Sequence, residues 1–279
     1  MALKINYNFQ SDFTHANMLK NEFNVNKNLE RLATGHRINK AADDAAGLYI
    51  ADQLKTYANS LDQGTRNAQD GVSVAQIAQG SLTEVYNIVN DIKAKAIEAG
   101  NTTLDDNARN ALQQDIKQLV DVIGKIFKDT EFNGKKIFNV ADNSYFTIQY
   151  GGRTGQTLKI DRIKMSATAT DVTIGDTTYK LDVSTSKNAQ SAIKNADALV
   201  KALDTQNSYF GSRQIELEKI ISNNETQAVN TRDAEGRIRN VDFAKEMADF
   251  TKNNILMQSG TAMLAQANQQ SQLVLQLLR

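Results

Sequence analysis

Not one proline interrupts the 279 residues of this chain. Proline removes a backbone donor and clashes with the preceding turn, so its absence lets apolar periodicity run for tens of residues as unbroken helix. Leu54, Tyr57, Leu61, Gly64 and Ala68 fall three and four apart. After a four-residue step to Val72 the pattern resumes as Ala75, Ala78, Leu82, Val85, Val89, Ile92, Ala96 and Ala99. The spacing predicts one helix from about residue 45 to Gly100, roughly 85 Å at ~1.5 Å per residue. A compact globule has no use for that length, whereas a rod does. Tryptophan is absent and aromatics make up only 6% of the chain, so small side chains must fill the seams.

The rest of the chain punctuates itself. Phe9, Phe13, Ala16, Leu19 and Phe23 trace one helical stripe, and Leu29 and Leu32 extend it to a break at Thr34-Gly35. Asn39 is the expected cap of the long helix, with Asp43 and Asp44 where a helix start favours negative charge. Gly100-Asn101 is a stop, and Thr103 followed by Asp106 resembles a capping box for a helix to about residue 129 with seam Leu112, Ile116, Leu119, Ile123 and Ile126. So short a loop makes these two helices antiparallel neighbours. Asn133-Gly134, between Phe132 and Ile137, is a hairpin signal. Tyr145–Tyr150, Thr157–Ile160 and the Thr/Val-rich run to Leu181 read as strands, and helical patterning returns over 187–239 and 242–278. The fold class expected is mainly α: a long antiparallel coiled-coil or helical-bundle rod, a small β-hairpin region in the middle of the chain, and terminal helices that pair on assembly. The domains expected are 1–44, 45–241 with its β insert at 139–186, and 242–279.

Composition narrows the function. Lys plus Arg and Asp plus Glu each number 32, leaving no basic field for nucleic acid. There is no cysteine and hence no disulfide or thiol chemistry. Asn253 to Leu278 carries no charge, but Gln258, Gln266, Asn268, Gln269, Gln270, Gln272 and Gln276 interrupt it too often for a membrane span. The first residues lack the apolar core of a secretory signal, so a secreted product is expected to leave by another route. Asp43 and Asp44 are adjacent and diverge by ~100° on a helix, a poor chelating pair. Gly151-Gly152-Arg153-Thr154-Gly155 lacks the Lys-Ser/Thr pair of a phosphate loop and reads as a β-turn. No nucleophile, metal or cofactor constellation converges, so neither catalysis nor a cofactor is expected.

Each terminal segment has an apolar stripe and no evident partner inside one copy. About residues 1–40 and 242–279 are therefore expected to be disordered alone and to fold on assembly. The assembly core expected is Phe9, Phe13, Leu19, Phe23, Leu29 and Leu32 from the first segment. From the last come Met247, Phe250, Met257, Leu264, Leu275 and Leu278.

The run Leu29 to Gly47, LERLATGHRINKAADDAAG, resembles the amino-terminal signature of bacterial flagellins, and Arg66 to Gly71 continues it. Phe132-Asn133-Gly134 is similar to that family's turn after the third helix, and Ala265 to Gln269 and Val274 to Arg279 resemble its carboxy-terminal signature. Within these motifs the signature residues are Arg37, Asn39, Asp43, Asp44, Asn67, Asn133, Gly134, Asn268 and Arg279. The resemblance covers about residues 1–138 and 187–279. It implies a subunit that polymerises with itself into the extracellular flagellar filament used for swimming. It also implies an inner core of paired terminal helices, a rod-like outer core, and a near-minimal insert facing outward. The implied partners are an export chaperone at the carboxy-terminal segment, the hook-associated junction protein and the filament cap, with type III export and no cleaved signal. The alternative is the hook–filament junction protein itself. In members sensed by a toll-like receptor, an arginine and a leucine on the second helix face the receptor. Gapless alignment from Phe132-Asn133-Gly134 places Asp91 and Lys95 there, with Asp115 where glutamate is common, so weak recognition is expected.

Overall fold

The computed structural model describes residues 8–138 and 144–277, with side chains to residue 269. Among the described residues the helices are α1 (Phe9–Thr34), α2 (Ala45–Ala99), α3 (Asp106–Asp129), α4 (Ser186–Arg239) and α5 (Phe243–Leu277). Between α3 and α4 lie β1 (Glu131–Phe132), β2 (Lys135–Lys136), β3 (Tyr145–Gln149), β4 (Thr157–Asp161), β5 (Met165–Thr168), β6 (Asp171–Ile174) and β7 (Thr177–Lys180). The fold is mainly α with small antiparallel strand pairs. It divides into two compact units, Met1–Thr56 with Asn230–Arg279, and Tyr57–Val229, so α2 and α4 each contribute to both.

In the first unit, Asn8 caps α1 by accepting from the Ser11 N–H at 3.2 Å. Gly35 ends the helix in the left-handed region (φ 72°) and donates to the Arg31 carbonyl. The following loop is tied to the α4–α5 connection: Arg37 N–H donates to the Arg239 carbonyl at 2.7 Å and Val241 N–H to the Gly35 carbonyl at 3.0 Å. The expected cap of α2 moves from Asn39 to Asp44, whose carboxylate accepts from Gly47 N–H at 2.9 Å. Asn39 instead belongs to the preceding turn. Its N–H and that of Lys40 donate to Asp43, and its carboxamide donates to the His36 carbonyl.

In the second unit a single buried cluster joins the α2 seam (Ala75, Ala78, Leu82, Val85, Val89, Ile92, Ala96, Ala99) to Ile116, Val120 and Ile123 of α3 and to Leu199 and Leu203 of α4. Contacts between Lys95 and Asp115 and between Ser81 and Thr130 run α2 and α3 antiparallel. The cap of α3 is Asp105, which accepts from Ala108 N–H at 2.8 Å, in place of the expected Thr103. Thr103 N–H is instead drawn into a turn by Asn101. β1 and β2 form a hairpin through Asn133 (φ 49°) and Gly134 (φ 73°), the double positive φ that the Asn-Gly pair supplies. β3 pairs with β4 and β5-β6-β7 make a three-stranded antiparallel sheet. Phe138 meets Phe127 and Phe210 edge-on at 5.8 and 6.3 Å. The Gly151–Gly155 segment is the β3–β4 turn, and it closes on both long helices. Asn67 donates to the Gln149 carbonyl at 2.8 Å and Asn224 to the Tyr150 carbonyl at 2.7 Å. Among the described residues no helix is long and apolar enough to cross a membrane.

Candidate assembly surface

Within the first unit, α1 and α5 pack along their lengths. The α1 seam is Ser11, Thr14, Met18, Asn21, Val25, Asn28 and Leu32, and that of α5 is Glu246, Phe250, Asn253, Met257, Gly260, Leu264 and Ala267. Both alternate steps of three and four, the spacing that keeps one stripe on a partner helix. Each of these residues is at least half-buried, yet the single buried residue of α1 is Asn28. The partners run antiparallel. Asn8 donates to the Ala267 carbonyl, Ser11 to Asn268 and Asn253 to Asn28, each at 3.3 Å, while Arg31 lies 3.7 Å from Glu246.

This pairing corrects the expectation that the terminal segments have no partner inside one chain. The seam mixes polar residues (Ser11, Thr14, Asn21, Asn28, Asn253) with apolar ones (Met18, Val25, Leu32, Phe250, Met257, Leu264), and the aromatic stripe of α1 is not part of it. Phe9, Phe13 and Phe23 are 66%, 60% and 68% exposed, and Leu19 and Leu29 are exposed as well. Phe9 and Phe13 stack at 6.1 Å between ring centres. Phe9 and Ser11 are two positions apart, about 200° around the helix, so the aromatic face is turned away from α5. On α5, Met247 is exposed together with Phe243, Ile255, Leu256 and Met263. Of the remaining core residues expected from sequence, Leu32, Phe250, Met257 and Leu264 lie in the intrachain seam. The Leu275 side chain and Leu278 lie outside the described residues. Sequence reasoning followed large apolar side chains and so missed the seam residues Ser11, Thr14, Asn21 and Asn28. Their strict three–four alternation was the signal.

The signature residues work on backbone and charge. Arg37 donates to the Ile238 carbonyl at 2.9 Å. Asp43 pairs with Lys27 at 2.7 Å. That ammonium, helped by the Asn39 and Lys40 N–H groups and opposed by burial, lowers the Asp43 carboxyl to about 2. Asn67 holds the end of β3, Asn133 and Gly134 make the β1–β2 turn, and Asn268 accepts from Ser11. Arg279 lies outside the described residues.

On the second unit, Asp91 and Lys95 share a stretch of α2, and Lys95 reaches Asp115 of α3 at 2.9 Å. The hydrogen bond that Lys95 donates to Asp115 raises the Lys95 pKa against the opposing effect of burial, with smaller help from Glu98 and Asp91. Asp91, Lys95 and Asp115 therefore form one charged patch in which Asp91 is exposed and Lys95 is half-buried.

Comparison with known proteins matches residues 5–142 to the bacterial flagellin N-terminal helical region and residues 193–278 to the bacterial flagellin C-terminal helical region. A flagellin of Halalkalibacterium halodurans is 40% identical over 277 residues, spanning 99% of both chains. A Bacillus subtilis flagellin is 37% identical over 99% of this chain and 100% of its own length. The flagellar filament 33 kDa core protein of Treponema phagedenis is 35% identical over 99% of each. Two family regions that together span most of the chain, and full-length relatives at this identity, place it plainly: the chain belongs to the bacterial flagellin family.

Proposed function

We infer that the chain is a structural subunit that polymerises into the bacterial flagellar filament through the outward faces of its paired terminal helices. Family membership supports a structural role over an enzymatic one. The similar proteins named above are two flagellins and a flagellar filament core protein, which favours the filament over the hook–filament junction.

The exposed aromatic stripe of α1 carries the assembly argument. Burying a Phe or Leu side chain contributes roughly 1.5–3 kcal/mol. Phe9, Phe13, Leu19 and Phe23 are 66%, 60%, 51% and 68% exposed, so burying what is still open contributes about 4–7 kcal/mol together, the lower part of the ~4–15 kcal/mol that association costs in lost freedom. One stripe makes polymerisation marginal and several copies packed together make it favourable. Contact between different faces of successive copies does not close and so propagates as a helix. Changing Phe13 and Phe23 to Ser is expected to abolish seeded polymerisation while helix content by circular dichroism stays unchanged. Normal filament yield from that variant would refute the role given to the stripe.

The family resemblance supports the finer partners. Before assembly the exposed Ile255, Leu256 and Met263 of α5 offer an export chaperone an apolar face. The junction protein and the filament cap meet the terminal helices at the two ends of the polymer. Export proceeds through the type III apparatus with no signal cleaved. Recognition by the toll-like receptor is weak, because Asp91 and Lys95 set charge where the receptor takes an arginine and a large apolar anchor. Replacing Asp91 by Arg and Lys95 by Leu is expected to raise a receptor-reporter response by at least an order of magnitude. An equally strong response from the unaltered chain would overturn this reading.

A further inference from the structure

We propose that Asn133 is a site of spontaneous covalent modification: its carboxamide cyclises onto the Gly134 backbone nitrogen and the chain is converted there to aspartate and isoaspartate. Asn133-Gly134 is the sole Asn-Gly pair in the sequence. It forms the tip of the β1–β2 hairpin, both residues are exposed, and a Cβ built on Gly134 would meet nothing within 4 Å. A side chain after asparagine is what ordinarily blocks the ring closure, and here there is none, nor any neighbour to take its place.

The chemistry needs only water. The Gly134 nitrogen, having lost its proton, forms a bond to Cγ of Asn133. The Cγ–Nδ2 bond breaks, and ammonia leaves with the proton. The resulting five-membered imide is opened by water at either carbonyl. Attack at Cγ gives aspartate, and attack at the main-chain carbonyl gives isoaspartate, whose backbone is one methylene longer. The pinning structure is slight. Ring closure requires Asn133 to leave its left-handed conformation, and the hairpin that holds it pairs only Glu131 with Lys136 and Phe132 with Lys135. Asp70-Gly71, which can form the same imide, sits inside α2, where a Cβ on Gly71 would lie 3.0 Å from Leu217 and 3.2 Å from Ile148. Helix and packing hold that pair in place.

An extra methylene cannot be fitted into a two-residue turn with both φ angles positive, so isoaspartate opens the hairpin. The opening is local, because Ile137 and Phe138 immediately beyond it are fully buried. The backbone at exposed Lys135 and half-buried Lys136 is then released from the hairpin into the extended form that trypsin cleaves. This inference goes beyond the filament reading and does not depend on it.

The test is ageing of the purified full chain in mildly alkaline buffer, followed by peptide mass spectrometry. The expected result is a gain of about one dalton confined to the peptide containing Asn133, with an isoaspartate fraction and faster tryptic cleavage after Lys135. The Asn133→Gln variant should show neither the gain nor the faster cleavage. A parallel sample unfolded in urea supplies the contrast. If the unfolded chain gains the mass while the folded chain keeps its carboxamide, or if the gain spreads over other asparagines, the proposal is wrong.

Discussion

Two glycines of α2 show how the same substitution takes opposite signs. A Cβ on Gly64 would stand 2.1 Å from the Tyr150 carbonyl oxygen, a backbone atom that cannot rotate away, whereas one on Gly80 would meet nothing within 4 Å. Gly64→Ala is expected to destabilise by about 1–3 kcal/mol, the usual cost of overpacking, despite its better helix propensity. Gly80→Ala, with propensity alone, should stabilise by about 0.5–1 kcal/mol. Paired thermal melts check both, and two shifts of the same sign would contradict the packing given for Gly64. Asp43 makes a pH prediction. Its carboxyl is lowered from 3.8 to about 2 in the fold, so its contribution is complete above about pH 4 and is lost as pH falls through 2. The stability gap between the native chain and Asp43→Asn should therefore narrow across that window, and a constant gap would show that Lys27 is not the cause. Caps were the least legible feature of the sequence. Asn39 and Thr103 have the right chemistry, but Asp44 and Asp105, five and two residues further on, stand immediately before the first helical turn and reach the free N–H groups.

Helices and strands were far more legible, because apolar spacing reports burial directly. The α2 seam from Ala75 to Ala99 is buried residue for residue, and the Asn133-Gly134 turn needed no context beyond its two amino acids. Spacing does not say which partner covers a stripe. On α1 the large side chains mark one face, while Ser11, Thr14, Asn21 and Asn28 mark the face α5 takes. Polar positions within a seam suit a pair that must keep one alignment: an Asn28 without Asn253 leaves a buried carboxamide unsatisfied, at a cost of ~1–3 kcal/mol. Asn28→Leu alone should therefore destabilise the first unit, while Asn28→Leu with Asn253→Leu recovers most of the loss. Urea melts of the single and double variants measure the coupling between the two positions, and purely additive losses would dismiss the pair.

Among the described residues, the buried apolar cluster lies within Tyr57–Val229, while Phe9, Phe13 and Phe23 of α1 stand exposed. The family was legible only by resemblance, in the runs Leu29–Gly47, Arg66–Gly71, Phe132–Gly134 and Val274–Arg279, whereas absence of proline and apolar periodicity account for the long helices alone. What spacing did not reveal was the division between the two faces of α1, one packed on α5 of its own chain and the other left exposed. The most direct test is electron microscopy of seeded polymerisation with Phe9, Phe13 and Phe23 all changed to Ser, after circular dichroism and α1–α5 proximity have been shown to match the native chain. The account predicts helical pairs that stay intact and no filaments. Filaments of native length and yield from that variant would contradict it.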